Sequence, residues 1–288
     1  MFRIGVMVES FRAGLRGGVE AAAELGADGI QFYATTGKTH FSRLRGRALK
    51  EFRAQLNDHG LRVAAVCGDF GGHGFQSEAG NRQRIEDSKR VLQLARELDC
   101  DVVTTHIGVI PSSPDHPRYA VLARACAELG EAAHSLGGVF AIETGPEPAR
   151  VLRDFLDRLE LEGGIGVNFD PANLVMVCRE NIPEAVRLLA RYIVHTHAKD
   201  GINLQPVDAE LLYGAFAGEG TLKPWEYIRE TPLGEGNVPF PAYLTALRET
   251  GFRGSLTIER EVGEDPRGDI AKAIRYLRAC KADCPIWT

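Results

Sequence analysis

Eight short apolar runs alternate with longer amphipathic segments along this 288-residue chain, and that order restricts the fold more than any single residue does. The runs cover 3–8, 29–32, 62–67, 101–106, 139–143, 166–170, 192–197 and 255–259. Several are nearly continuous in apolar residues, as strands are when both faces of a parallel sheet are covered. The amphipathic segments cover 19–25, 48–59, 82–98, 119–136, 149–159, 183–190, 241–250 and 269–279. In 82–98, Ile85, Val91, Leu92, Leu94, Ala95 and Leu98 gather on one helical stripe. Gly26, Gly60, Gly137 and Gly251 follow such segments, which suits a helix end before the next strand.

Eight strand–helix alternations predict a closed parallel barrel, α/β in class and of (β/α)8 type, as a single domain over 1–288. The length is near the ~250 residues of a barrel of this kind. An open doubly wound sheet would carry a glycine-rich phosphate turn after its first strand, but here that strand runs into Glu9-Ser10-Phe11. Gly37-Lys38-Thr39 has the ending of a nucleotide phosphate loop, yet the glycine it requires upstream is Phe32, so it reads as ordinary loop. The rhythm breaks at about 198–240, a stretch with Pro206, Pro224, Pro232, Pro239 and two Gly-Glu-Gly turns. It reads as a long loop insertion after the seventh strand, a lid or subunit contact over the catalytic face, with a short helix near 225–229.

The formal charge of -5 argues against a nucleic-acid partner, whose phosphates are bound by Lys and Arg. No run approaches the ~20 apolar residues of a membrane span. The start, MFRIGVMVESF, reads as a strand rather than a signal peptide. Cys67, Cys100, Cys126, Cys178, Cys280 and Cys284 form no C-x-x-C pair and suit scattered thiols of a reducing compartment. A soluble, cytoplasmic chain without nucleic-acid or membrane partners is expected.

In a barrel of this type chemistry sits where the strands end. The fifth run ends AIE at Glu143, the sixth NFD at Asp170, the seventh HTH at His197 and the eighth TIE at Glu259. Three carboxylates and an imidazole make a mostly oxygen site for a divalent metal, Mn2+ or Mg2+ before Co2+ or Zn2+. A cation there would polarise a substrate carbonyl and favour an enediolate.

Other residues join as substrate-binding candidates. His106, ending the fourth run, either bonds a substrate hydroxyl or is a satisfied barrel histidine. Lys199 is a substrate-binding cation, an acid/base group or the ion-pair partner of Asp200. His73 lies in the glycine-rich GGHGF loop, which could close over a ligand. Glu147 could reach substrate, although a surface carboxylate is the plainer reading. Asn173 follows Asp170 by three. His195, two before His197, points the same way one layer deeper and suits a supporting role. Glu9, Gln31 and Cys67 could line the pocket, and Arg260 with Glu261 reads as a structural ion pair.

The strings AIETGPEP, VNFDPANL, HTHAKD and TIERE, with PLGEGNVPFPAYL, resemble the xylose isomerase-like superfamily of sugar phosphate isomerases and epimerases over most of the chain. The resemblance implies a (β/α)8 barrel, a small-molecule sugar or polyol substrate, and a homodimer or homotetramer. It implies that Glu143 and Glu259 both bind metal and act as the proton-exchanging pair of an isomerase or epimerase. The well-studied ketose epimerases carry a glutamate, a histidine and an arginine where this chain has Ala149, Asn173 and Asn203. A lyase or dehydratase on the same scaffold is therefore the main alternative, since β-elimination uses the same base and metal. An endonuclease of the three-metal type would need histidines that these positions lack. A Schiff-base aldolase through Lys199 and a non-catalytic sugar-binding barrel rank below.

Overall fold

Alternation of apolar strands and amphipathic helices leaves one economical burial scheme, strands inside and helices outside, and the computed structural model, which describes residues 2–282, has it. The strands are β1 (Arg3–Met7), β2 (Gly29–Tyr33), β3 (Arg62–Cys67), β4 (Val102–Thr105), β5 (Val139–Glu143), β6 (Ile165–Phe169), β7 (Ile193–Ala198), β8 (Asp200–Asn203), β9 (Ile228–Thr231) and β10 (Ser255–Ile258). Eight of them close a parallel barrel in the order β1-β10-β7-β6-β5-β4-β3-β2, as the eightfold alternation predicts. The helices are α1 (Gly14–Glu24), α2 (Gly46–Asp58), α3 (Glu78–Glu97), α4 (Pro117–Ser135), α5 (Ala149–Arg158), α6 (Pro171–Asn173), α7 (Ile182–Leu189), α8 (Ala209–Phe216), α9 (Phe240–Glu249) and α10 (Pro266–Ala282).

The apolar core lies between the barrel wall and the helices. Phe75 and Phe140 meet edge to face at 6.0 Å, and Phe169 stacks on Tyr243 at 5.6 Å. The buried stripe of α3 consists of Ile85, Val91, Leu92, Leu94 and Ala95 together with Asn81 and Ser88. Gln31, Thr104, Asn168, His195 and Thr257 are buried polar residues of the barrel strands. They put hydrogen-bonding groups beneath the end where the strands finish.

The stretch 198–240 is not the irregular loop its prolines suggest. β8 and β9 pair antiparallel, with Asp200 opposite Thr231 and Asn203 opposite Ile228. α8 lies between them, and the helical turn expected at 225–229 is a 3-10 turn at Pro224–Glu226, after which Ile228 and Arg229 are already strand. The sequence Asp-Gly-Ile-Asn of β8 has poor intrinsic strand preference, so pairing context rather than propensity makes it a strand. Asp200 secures the unit: its carboxylate accepts from the backbone N–H groups of Gly201, Gly234, Gly236 and Val238 at 2.8 to 3.0 Å.

Cys67, Cys100 and Cys126 are buried and Cys178 and Cys280 half-buried, and no disulfide joins them among the described residues, while Cys284 lies outside the described residues. Among the described residues no helix is long and apolar enough to cross a membrane.

Candidate metal centre

Four consecutive strands of the barrel, β10, β7, β6 and β5, deliver the four strand-end groups. Glu143 is the last residue of β5, Asp170 follows β6, His197 lies in β7, and Glu259 follows β10. His197 is opposite Thr257, so Glu259, two residues on, emerges on the same side one layer higher. One ligand atom from each of Glu143, Asp170, His197 and Glu259 can be chosen so that all lie within 4.8 Å of one another. His197 Nδ1 is 3.6 Å from Glu143 Oε1, 3.4 Å from Asp170 Oδ2 and 3.4 Å from Glu259 Oε2. All four residues are buried.

Local structure fixes each of the four side chains. Asp170 caps α6: Oδ1 accepts from the N–H groups of Ala172 at 2.8 Å and Asn173 at 3.0 Å, while Pro171 takes the position that needs no donor. This leaves Oδ2 turned inward without a hydrogen-bond partner, and His197 Nδ1 is in the same state. Two buried, unpaired polar atoms facing each other are costly unless something bridges them, and a divalent cation would. Glu143 is held by two amides, Asn168 Nδ2 on Oε2 at 3.0 Å and Asn173 Nδ2 on Oε1 at 3.2 Å. Gln31 Oε1 lies 3.2 Å from His197 Nε2 and 3.0 Å from His195 Nε2, and the Gln31 amide donates to Thr104 at 2.9 Å. A ligating imidazole is ordinarily fixed through its other nitrogen in this way.

The remaining candidates divide. His106 stands beside the four, with Nδ1 3.0 Å from Asp69 Oδ2 and Nε2 3.4 Å from Glu143 Oε1. Lys199 is buried against Glu259, 2.9 Å away, and also contacts Glu261, with Glu230 at 3.8 Å. Of the alternatives for Lys199, the ion pair with Asp200 is not the one formed, because Asp200 is occupied by backbone amides. Arg260 and Glu261 do not pair with each other: Arg260 binds Glu230 at 2.5 Å and Asp269 at 2.9 Å. Asn173 is engaged with Glu143 and the Thr144 carbonyl, so it positions a carboxylate. Glu147 is buried rather than at the surface, accepting from the Ile110 N–H at 3.3 Å. His73 lies at the rim, its Nε2 2.9 Å from Glu219 Oε2. Asp69, Asn168, Glu230 and Tyr213 escaped sequence reasoning. Asn168 alternates with Asp170 along β6 and was within reach of a period-two reading; Asp69 comes from the loop after β3, and Tyr213 and Glu230 come from α8 and β9 of the inserted stretch.

Burial pushes the Glu143 carboxyl up, but the His106 and His197 imidazoles outweigh it and hold it well below its ordinary value. Burial lowers both imidazoles; Glu259, Glu143 and Asp170 raise His197, and Glu143 and Asp69 raise His106, so each ends well above its usual value. Burial lifts Glu259 to about 7 against the pull of Lys199 and His197. His195 is pushed down to about 3 by burial and by His197, so it stays neutral.

A cavity of about 540 Å³ opens at the other end of the barrel, lined by strand starts including Arg3, Asp28, Arg62 and Ser255. It holds none of the four, and that face of a (β/α)8 barrel ordinarily serves stability.

A family model described as a xylose isomerase-like TIM barrel matches residues 19–280. The rhizopine catabolism protein MocC of Rhizobium meliloti is 32% identical over 136 residues, 46% of this chain, and the match spans 36% of that protein, about a third of its length. Among solved structures, a xylose isomerase domain protein from Planctomyces limnophilus is 28% identical, covers 98% of both chains and superposes with a TM-score of 0.79. A D-tagatose 3-epimerase-like protein, 21% identical over 98% of this chain and 99% of its own, superposes with a TM-score of 0.74 and shares the fold. With its barrel, strand order and a match over nearly the whole length in hand, the chain belongs to the xylose isomerase-like TIM barrel family.

Proposed function

We propose that this protein is a divalent-metal-dependent isomerase or epimerase of a small polyhydroxylated carbonyl compound, a sugar or related polyol. The observation that supports it is the pair of buried, partnerless atoms, Asp170 Oδ2 and His197 Nδ1, flanked by Glu143 and Glu259. Glu143, Asp170, His197 and Glu259 would hold the cation, Mn2+ or Mg2+ on the hardness of three carboxylates. When bound, it would polarise a substrate carbonyl and stabilise charge on its oxygen.

The chain's own residues supply the proton chemistry. The ligand arc leaves the mouth open toward the ends of β1 to β4, where Tyr33, Cys67, Asp69 and His106 lie. A substrate lodged there has Glu143 at one end of the arc and Glu259 at the other. One removes a proton from the carbon beside the carbonyl, and the other returns a proton, to the opposite face of that carbon in an epimerisation or to the former carbonyl carbon in an isomerisation. The Lys199 ammonium holds Glu259 in place, and Asn168 with Asn173 does the same for Glu143.

A dehydratase is the second reading, favoured by Glu147. Burial pushes this carboxyl up to about 8, which keeps it protonated near neutral pH in the electrostatic neighbourhood of His106. β-Elimination needs such an acid to protonate a departing hydroxyl.

The test is metal analysis of the purified protein, followed by a panel of ketoses, inososes and keto-glycosides with and without EDTA. Turnover that EDTA abolishes, with product of unchanged mass, is expected. Loss of water from the substrate selects the dehydratase, and full activity without any cation ends both readings.

A further inference from the structure

We infer that Tyr213, on α8 of the inserted unit, is a substrate-binding residue whose hydroxyl donates a hydrogen bond to an oxygen of a polyhydroxylated ligand, an inference that rests on the functional reading above. The helix turns Leu211 and Phe216 outward, 59% and 60% exposed, and buries Leu212. Tyr213 is half-buried on the inner side, its ring 5.9 Å from that of Phe216. Its hydroxyl reaches the backbone two residues beyond Glu143. Gly145 has φ +151°, and a Cβ there would fall 2.9 Å from the Tyr213 hydroxyl and 2.5 Å from Asn173 Cβ. Only glycine leaves room for that approach. Asn173 is in turn the residue that bonds Glu143.

Among the described residues the Tyr213 hydroxyl has no hydrogen-bond partner, although Glu143, Glu147, Cys178 and Asp170 all bear on it electrostatically. Burial and those neighbours hold the phenol well above its ordinary value, so it remains a donor. A hydroxyl placed among acceptors yet bonded to none suits an incoming ligand oxygen. The helix that carries it is secured on both sides. Glu210 binds Arg118 of α4 at 2.5 Å, Glu219 binds His73 of the glycine-rich loop at 2.9 Å, and Asp208 caps the first turn through the Glu210 N–H at 2.7 Å. Tyr213 is thus presented by a fixed element, which reduces the ordering cost of binding.

The experiment is calorimetric titration of wild type and Tyr213→Phe with sorbitol, a non-reacting hexitol, each with and without Mn2+, alongside kcat and KM on any substrate the panel identifies. Phenylalanine keeps the ring and removes only the hydroxyl. The expected result is sorbitol affinity about three- to tenfold weaker in the variant, the range for one neutral hydrogen bond, with KM raised similarly. Mn2+ affinity and Tm should match wild type. Equal sorbitol affinity in the two proteins, or none in either, overturns the assignment of Tyr213. Failure of the wild type to bind Mn2+ counts instead against the functional reading, and the sorbitol comparison still decides Tyr213 by itself.

Discussion

His197 Nδ1 and Asp170 Oδ2 lie 3.4 Å apart, both buried, and neither has a hydrogen-bond partner among the described residues. A cation between them would stabilise the folded protein, because the unfolded chain offers no comparable site. Binding adds about 2.7 kcal/mol when the free ion is at 100 times its Kd. Thermal unfolding with Mn2+ and with EDTA should therefore differ by several degrees. In Asp170→Asn or His197→Gln the difference should vanish. A wild-type Tm indifferent to both additions would remove the cation from the site.

Glu143 is oriented by Asn168 and Asn173, one amide on each oxygen. Glu143→Gln should lower kcat by on the order of 10²–10⁴ while leaving the far-ultraviolet circular dichroism unchanged, as loss of a proton-transfer group does. Asn173→Ala removes one of the two orienting bonds, so kcat should fall about tenfold with KM nearly constant. If Asn173→Ala raised KM and spared kcat, Asn173 would be a substrate contact and its bond to Glu143 incidental.

Convergence of the four was legible in the sequence because parallel strands all end at one face, so a ligand-type residue at each end must meet the others. What a strand-end pattern cannot carry is the partner of each side chain. Lys199 and Asp200 are adjacent in the chain, yet alternation sends one toward Glu259 and the other toward the turn 234–238. Glu147 stands between Pro146 and Pro148, which reads as surface loop, and only the fold shows it buried with the segment after β4 bonded to it. Tyr213 sits in a segment whose glycines and prolines conceal its helix. Its nearness to Gly145 depends on the pairing of β8 with β9, a four-residue contact too short to leave a pattern.

Asp200 ties the two ends of the inserted unit together, β8 to the turn 234–238. Its carboxylate accepts four backbone N–H bonds. Asp200→Ala should cost about 2–4 kcal/mol, taking a net ~0.5–1.5 kcal/mol per bond and partial rescue by water. Tm should drop, and amide exchange at Gly234, Gly236 and Val238 should accelerate more than elsewhere. Unchanged protection at those three amides would show that the turn holds without the carboxylate.

Glu147 makes stability depend on pH in a direction opposite to that of a salt-bridged carboxylate. Its folded-state value is raised from 4.5 to about 8 by burial, with the Ile110 N–H bond and His106 opposing. Between these values the unfolded chain binds fewer protons at this position than the folded one. The contribution is therefore intact below about pH 4.5 and is lost progressively as pH rises to about 8. Glu147→Gln keeps the shape and does not titrate. The Tm of wild type minus that of Glu147→Gln should thus decline steadily between about pH 4.5 and about pH 8 and then level off. A difference that stays constant over this range would mean that the carboxyl ionises at its ordinary value inside the fold, and the dehydratase reading would lose its acid.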